Sequence, residues 1–200
     1  MQHSSLNYTD VARMIWACRD APAVPFIRIP NATEGDIQKA TDIGALGLIV
    51  PMVDDAEKME KAVHFAKYPP EGRRSQGGGQ YGRLWGSDYR QTWNDNLMGI
   101  AMVETLIGVD ASAEIAGVDG VDAVFVASGD LGSFSGRRQG EPEYEALVDK
   151  IKSGIESAGK YAGGPSAWMQ TREAYQFFQG PSTGSLIRMG TRVSLEEADP

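Results

Sequence analysis

Two hundred residues, 42 % apolar and 23 % charged, are enough chain for one folded domain and too apolar for wholesale disorder. A net charge of −8 excludes a general binder of nucleic acid or anionic membrane, which needs clustered Lys and Arg. No apolar run approaches the ~18 residues that cross a bilayer, no secretory signal is visible at Met1-Gln2-His3-Ser4-Ser5, and Cys18 is alone. The expectation is a single-domain, cytoplasmic protein spanning residues 1–200, with no membrane or nucleic-acid partner.

From Thr9 the spacing of Val11, Met14, Ile15 and Cys18 predicts an amphipathic helix. Val24 to Ile29 reads as a strand. A helix from Gly35 to Thr41 ends near Gly44, and Leu46 to Val50 is a second, wholly apolar strand. Asp54 or Asp55 caps a helix with Met59, Ala62, Val63 and Ala66 on one face. Residues 67–96 break this rhythm, being rich in Gly, Arg and aromatics, and read as a functional loop with a short helix near Ser87 to Trp93. Strands follow at Met98 to Val103 and Val121 to Ala127, then a strong helix over Tyr144 to Ala158. Weaker strands at Tyr161 to Gly163 and Ser185 to Arg188 bracket a helix from Thr171 to Phe178.

Apolar, non-alternating strands separated by helices predict a parallel sheet covered by helices. About six strands fit either an open doubly wound sheet or most of a (β/α)8 barrel, and in both the chemistry collects at the carboxyl ends of the strands. The polar residues there are Arg28, Glu104 and Asp130. Glu104 and Asp130 close consecutive strands, and neighbouring strands lie ~4.8 Å apart, so both carboxylates can reach one hard divalent cation. The alternative is that each merely caps a helix. Arg28 sits in a buried strand and needs an anion: either an internal carboxylate such as Glu104, or an anionic ligand. Gly77-Gly78-Gly79-Gln80-Tyr81-Gly82 matches G-x-G-x-x-G, but no strand precedes it, so it reads as a loop over a site rather than a dinucleotide cradle.

Six ordered segments resemble the HpcH/HpaI aldolases, metal-dependent enzymes that make or cleave carbon–carbon bonds beside pyruvate. His3-Ser4-Ser5-Leu6-Asn7-Tyr8 is similar to the family's His-Ser-Pro-Leu-Asp-Tyr, and Arg28-Ile29-Pro30 to its Arg-Val-Pro. Asp42-Ile43-Gly44-Ala45 with Ile49-Val50-Pro51-Met52-Val53 resembles Asp-x-Gly-Ala followed by Val-Pro-Met-Val. Tyr68-Pro69-Pro70-Glu71-Gly72-Arg73-Arg74-Ser75 resembles Tyr-Pro-Pro-x-Gly-x-Arg-Ser. Met102-Val103-Glu104-Thr105 and Gly129-Asp130-Leu131-Gly132 resemble the family's hydrophobic-x-Glu-Thr and x-Asp-Leu-Ser.

The resemblance implies an α/β fold of the (β/α)8 TIM-barrel type, here with the first strand, first helix and most of the second strand missing, usually assembled as a homo-oligomeric hexamer. It implies Glu104 and Asp130 as ligands of a divalent metal cation (Mg²⁺ or Mn²⁺, with Co²⁺ a further option). Arg28 would face the keto oxygen of pyruvate and stabilise its enolate. His3 and Asp42 would form the dyad that handles the proton, and the backbone about Gly129, Leu131 and Gly132 would hold the substrate carboxylate. The implied activity is an aldehyde lyase acting on 4-hydroxy-2-oxo acids or 2-keto-3-deoxy sugar acids, with small oxo-acid and aldehyde partners. The alternatives are a citrate-lyase-β-like acyl-CoA lyase and an inactive fragment that binds oxo-acids or a full-length homologue. The chain departs from the family at Ala127-Ser128 (usually Gly-Pro), at Gly132 (usually Ser) and at Met102 (often Gln). The loop with Arg73, Arg74 and Gly77–Gly82 is expected to shape the choice of aldehyde.

Overall fold

The computed structural model describes residues 1–197. In chain order its elements are α1 (Tyr8–Cys18), β1 (Phe26–Arg28), α2 (Glu34–Asp42), β2 (Gly47–Val50), α3 (Ala56–Ala66), α4 (Tyr81–Leu84), α5 (Tyr89–Asn96), β3 (Met98–Val103), α6 (Leu106–Asp110), α7 (Ser112–Gly117), β4 (Ala123–Val126), α8 (Ser128–Ser135), α9 (Pro142–Ser157), β5 (Tyr161–Pro165), β6 (Tyr175–Gln179) and α10 (Thr183–Glu197). The helix starts are written in the sequence. Asn7 and Asp10 form a reciprocal capping box on α1, Thr33 caps α2, and Asp55 caps α3 through the Lys58 amide at 2.8 Å. After α2, Gly44 takes a φ of 99°, the left-handed conformation that ends the helix and turns the chain into β2.

All six strands pair in parallel in the order β1-β2-β3-β4-β5-β6. The sheet is curled. Strands spaced ~4.8 Å apart would hold the edges of a flat six-stranded sheet more than 20 Å from each other, yet the rings of Phe26 on β1 and Phe177 on β6 are 6.0 Å apart. The alternation of side chains along the strands therefore sorts them to two cores. Ile27, Leu48, Val50, Ala101, Val103, Val124 and Val126 face outward onto the helices. Phe26, Ile49, Ile100, Met102, Ala123, Phe125 and Phe177 form a second cluster inside the curl. Gly47 is needed there: a Cβ at this position would stand 2.0 Å from the Phe26 ring, its register partner.

Two expectations for the carboxyl-terminal part are corrected. The expected helix from Thr171 to Phe178 is instead the strand β6, which pairs with β5 from Ala162 to Pro165. Aromatic Tyr175, Phe177 and Phe178 suit a pleated, two-sided surface, and the pairing overrides the helical propensity of Glu173 and Ala174. The expected strand at Ser185 to Arg188 lies within α10, whose first turn is capped by the Ser182 hydroxyl accepting the Ser185 amide at 3.2 Å. The long segment 67–96 contains two short helices, α4 and α5, rather than one. Among the described residues no helix is long and apolar enough to cross a membrane.

Candidate active site

Glu104 follows the last residue of β3 and is only 1 % exposed. It does not cap α6; that role falls to Thr105, whose hydroxyl accepts the Gly108 amide at 3.1 Å. Asp130 is likewise not a cap: α8 starts after Ala127, and Asp130 lies in its first turn. Neither carboxylate is spent on a helix cap; Glu104 is buried, Asp130 is exposed, and the Asp130 carboxylate is near enough to act on the charge of Glu104.

Burial raises the Glu104 pKa above the ordinary carboxylate value. The Met52 amide, which donates to Glu104 Oε2, opposes that shift; the Asp130 carboxylate adds to it and Arg28 opposes it. Met52 makes that donation from a left-handed backbone, φ 52°, unusual outside glycine and a local strain. Lys58 Nζ holds the Met52 carbonyl at 2.8 Å and stabilises the turn.

Arg28 is the last residue of β1 and makes no salt bridge among the described residues; its Nη1 lies 3.9 Å from Met102 Sδ. Of the two readings of Arg28, the internal ion pair is therefore absent and the guanidinium is open to an anion. It lines a cavity of about 250 Å³ with Ile49, Met102, Phe125, Phe177 and Phe178. Sequence reasoning missed Met52, because its contribution is a backbone N–H set by an uncommon φ. It missed Phe177 and Phe178 because their segment reads as helix.

The turn expected to hold a substrate carboxylate differs in detail from the expectation. The Leu131 amide is engaged by the Ala127 carbonyl at 2.9 Å, and Gly132 lies one residue further into α8. The open amides of the helix start are those of Ser128, Gly129 and Asp130.

His3 and Asp42 are not brought together within the chain. His3 is exposed, in a turn tied to the mouth by the Met1 amino group, which donates to the Arg28 carbonyl at 2.7 Å. Asp42 ends α2, and helices that return between parallel strands run from the mouth to the amino ends of the strands. Asp42 thus sits near the start of β2, separated from Glu104 by roughly the 15–20 Å length of β3. Its carboxylate accepts from Gln38 Nε2 at 2.8 Å and from Arg74 at 3.2 Å. The loop 67–96 lies at that same end, with the Gln80 amide donating to the Asp42 carbonyl at 2.7 Å and Trp85 Nε1 to the Gly44 carbonyl at 2.9 Å. It does not cover the mouth of its own curl, and Arg74 is buried rather than offered to substrate.

No group of three or more His, Cys, Asp and Glu converges among the described residues. A model of the HpcH/HpaI aldolase/citrate lyase family matches residues 4–188. The chain belongs to that family. It is 30 % identical to a hydroxypyruvate/pyruvate aldolase of Rhizorhabdus wittichii, over 99 % of this chain and 82 % of the relative. It is 31 % identical to a 2-keto-3-deoxy-L-rhamnonate aldolase of Escherichia coli K12, over 81 % of this chain but only 62 % of that relative. A solved HpcH/HpaI aldolase/citrate lyase family protein from Burkholderia cenocepacia superposes with a TM-score of 0.89 at 28 % identity, covering all of this chain and 84 % of the other. The resemblance read from the six motifs and the family of the whole chain agree.

Proposed function

We propose that this HpcH/HpaI family member is a class II aldolase that forms and cleaves 4-hydroxy-2-oxo acids or 2-keto-3-deoxy sugar acids through a pyruvate enolate. One observation carries the reading: the buried Glu104 carboxylate and the exposed Asp130 carboxylate act on each other at the carboxyl ends of adjacent strands, beside an Arg28 that makes no salt bridge among the described residues. Both named relatives are aldolases, which favours this reading over an acyl-CoA lyase.

The donor set fits a divalent cation. Two oxygen ligands with open positions suit Mg²⁺ or Mn²⁺, and a cation would offset the repulsion between the buried Glu104 carboxylate and the exposed Asp130 carboxylate beside it. When bound, the ion supplies Lewis-acid polarisation of the keto oxygen. The chain's own residues do the rest. The Arg28 guanidinium meets the oxygen on which negative charge develops as the enolate forms. The open amides of Ser128, Gly129 and Asp130 receive the substrate carboxylate at the start of α8. Phe125, Phe177 and Phe178 line the cavity and keep water from the enolate.

His3 and Asp42 are assigned to proton handling. Because His3 is at the mouth and Asp42 at the opposite end, the pair serves one site only if the two residues come from two copies of the chain. The reading therefore includes a homo-oligomer in which the amino end of one curl meets the mouth of the next. It also takes the six-stranded curl as the larger arc of a (β/α)8 barrel, supported by the superposition with the longer Burkholderia cenocepacia protein.

The test is solvent-deuterium exchange into the methyl group of pyruvate, followed by NMR with Mn²⁺ or Mg²⁺ and then with chelator. It needs no knowledge of the aldehyde. Metal-dependent exchange that disappears in Glu104→Gln is expected; exchange that survives both chelator and that substitution rejects the metal-assisted enolate.

A further inference from the structure

Arg74 is among the most enclosed charges in the molecule: its side chain has no solvent exposure. Its guanidinium stands over four rings, at 4.6 Å from Trp93, 4.7 Å from Tyr68, 5.0 Å from Tyr81 and 5.6 Å from Tyr89. The cage is itself packed, with Tyr81 and Tyr89 stacked at 4.4 Å and Tyr89 and Trp93 at 4.9 Å. Arg74 donates to the Tyr89 hydroxyl at 3.0 Å, and its Nε finds no partner among the described residues. Burial lifts the Tyr68 and Tyr89 hydroxyl pKa values against the pull of Arg74, so both phenols stay neutral. Asp42 is the one carboxylate paired with this charge among the described residues.

A cation so enclosed is costly in a structural core, where an apolar side chain of similar volume is often as good or better. Its geometry explains its presence. Inside the cage one terminal nitrogen of Arg74 is held by the Tyr89 hydroxyl, and the other reaches Asp42 Oδ1 at 3.2 Å. Gln38 takes the other oxygen of the same carboxylate, while about a third of the Asp42 side chain stays open to solvent. The Gln80 amide meanwhile pins the Asp42 carbonyl, so loop and helix end are joined on both the main chain and the side chain.

We propose that Arg74 is a positioning residue: its aromatic cage holds the guanidinium so that Asp42 presents one fixed, charged carboxylate face outward from the amino end of the curl. The proposal rests on the role assigned to Asp42 above, and extends it to a residue that touches neither substrate nor metal.

The experiment is a double-mutant cycle in the full chain, using metal-dependent pyruvate deuterium exchange as the rate and Mn²⁺ binding by electron paramagnetic resonance as the control. Arg74→Met keeps the cage filled. It is expected to lower kcat roughly 10–100-fold while KM for pyruvate and Mn²⁺ affinity stay within about twofold. Arg74→Lys, which restores a charge but not the fork, is expected to recover part of that loss. Arg74→Met combined with Asp42→Asn is expected to be no slower than Asp42→Asn alone, because Arg74 acts only through that carboxylate. Wild-type kcat in Arg74→Met, or losses that multiply in the double variant, would overturn the proposal. If Arg74→Met does not fold, Arg74→Lys decides: a native melting temperature with reduced kcat supports the proposal, and wild-type kcat rejects it. If Asp42→Asn exchanges at the wild-type rate while Glu104→Gln does not, the role of Asp42 falls and takes Arg74 with it, leaving the metal site standing.

Discussion

At Met52 a non-glycine residue holds a φ of 52° so that its N–H can meet the Glu104 carboxylate, and this small strain is the residue-scale signature of the mouth. The carboxylates themselves were legible in the sequence, because residues that close consecutive parallel strands must lie side by side. Their partner amide was not, since nothing in Pro51-Met52-Val53 announces a left-handed turn. The arrangement has a measurable consequence. In metal-free protein burial holds the Glu104 pKa above the unfolded value of about 4.3, with Asp130 adding to the effect and Met52 and Arg28 opposing it. The native state keeps its proton over a pH range in which the unfolded chain has already lost it. This contribution therefore favours folding least once pH has risen through the folded-state pKa, and stability falls with rising pH across that window. Urea midpoints taken with chelator should show the decline as pH rises from about 4.3, relative to Glu104→Gln, in which it is absent. A wild-type midpoint that tracks the variant at every pH would contradict the assigned burial effect.

At the scale of elements, the chain was readable wherever local signals and burial agreed. Met98–Val103 matches its expected bounds because a continuous apolar run between turn residues has one good solution, and α3 was placed by its Asp55 cap and apolar stripe. The exchange of strand and helix after residue 170 has the opposite cause: both segments are short, and only pairing with β5 separates them. Packing between elements also decides the sign of substitutions that propensity alone gets wrong. Gly154 lies in the interior of α9, where Ala is favoured by about 1 kcal/mol on propensity. A Cβ there would stand 2.8 Å from both the Ala113 nitrogen and Ser112 Oγ on α7. Overpacking of that kind costs about 1–3 kcal/mol, so Gly154→Ala is expected to lower the melting temperature by a few degrees. Gly35, in the first turn of α2, has nothing within 4 Å of its would-be Cβ. Gly35→Ala should hold or raise the melting temperature, and thermal denaturation of the two variants side by side checks the argument.

At the scale of the whole molecule, the separation of His3 from Asp42 is the feature that motifs could not show. The motifs gave both residues a place in one dyad; the right-handed return of α2 put them at opposite ends of the sheet. The α10 side chains of Leu186, Ile187, Met189, Val193 and Leu195 are all more than half exposed, more apolar surface than a solitary chain comfortably shows to water.

A shared dyad can be tested by mixing two inactive variants. His3→Ala removes the imidazole from the mouth of its own curl but keeps an intact Asp42 for a neighbour; Asp42→Asn does the reverse. When the two are unfolded together in equal amounts and reassembled, a site works only if its mouth comes from an Asp42→Asn chain and its carboxylate from a His3→Ala chain. Random assembly satisfies both conditions in roughly a quarter of the sites, so pyruvate exchange should recover to about that fraction of wild type. His3→Ala mixed with Glu104→Gln supplies the control. Those two residues belong to the mouth of the same chain, every site in the mixture keeps one defect, and no recovery is expected. Recovery in the first mixture but not in the second requires Asp42 to act across a subunit boundary. Equal inactivity in both returns the dyad to a single chain, which would oblige α2 or the turn carrying His3 to move by most of the length of the sheet.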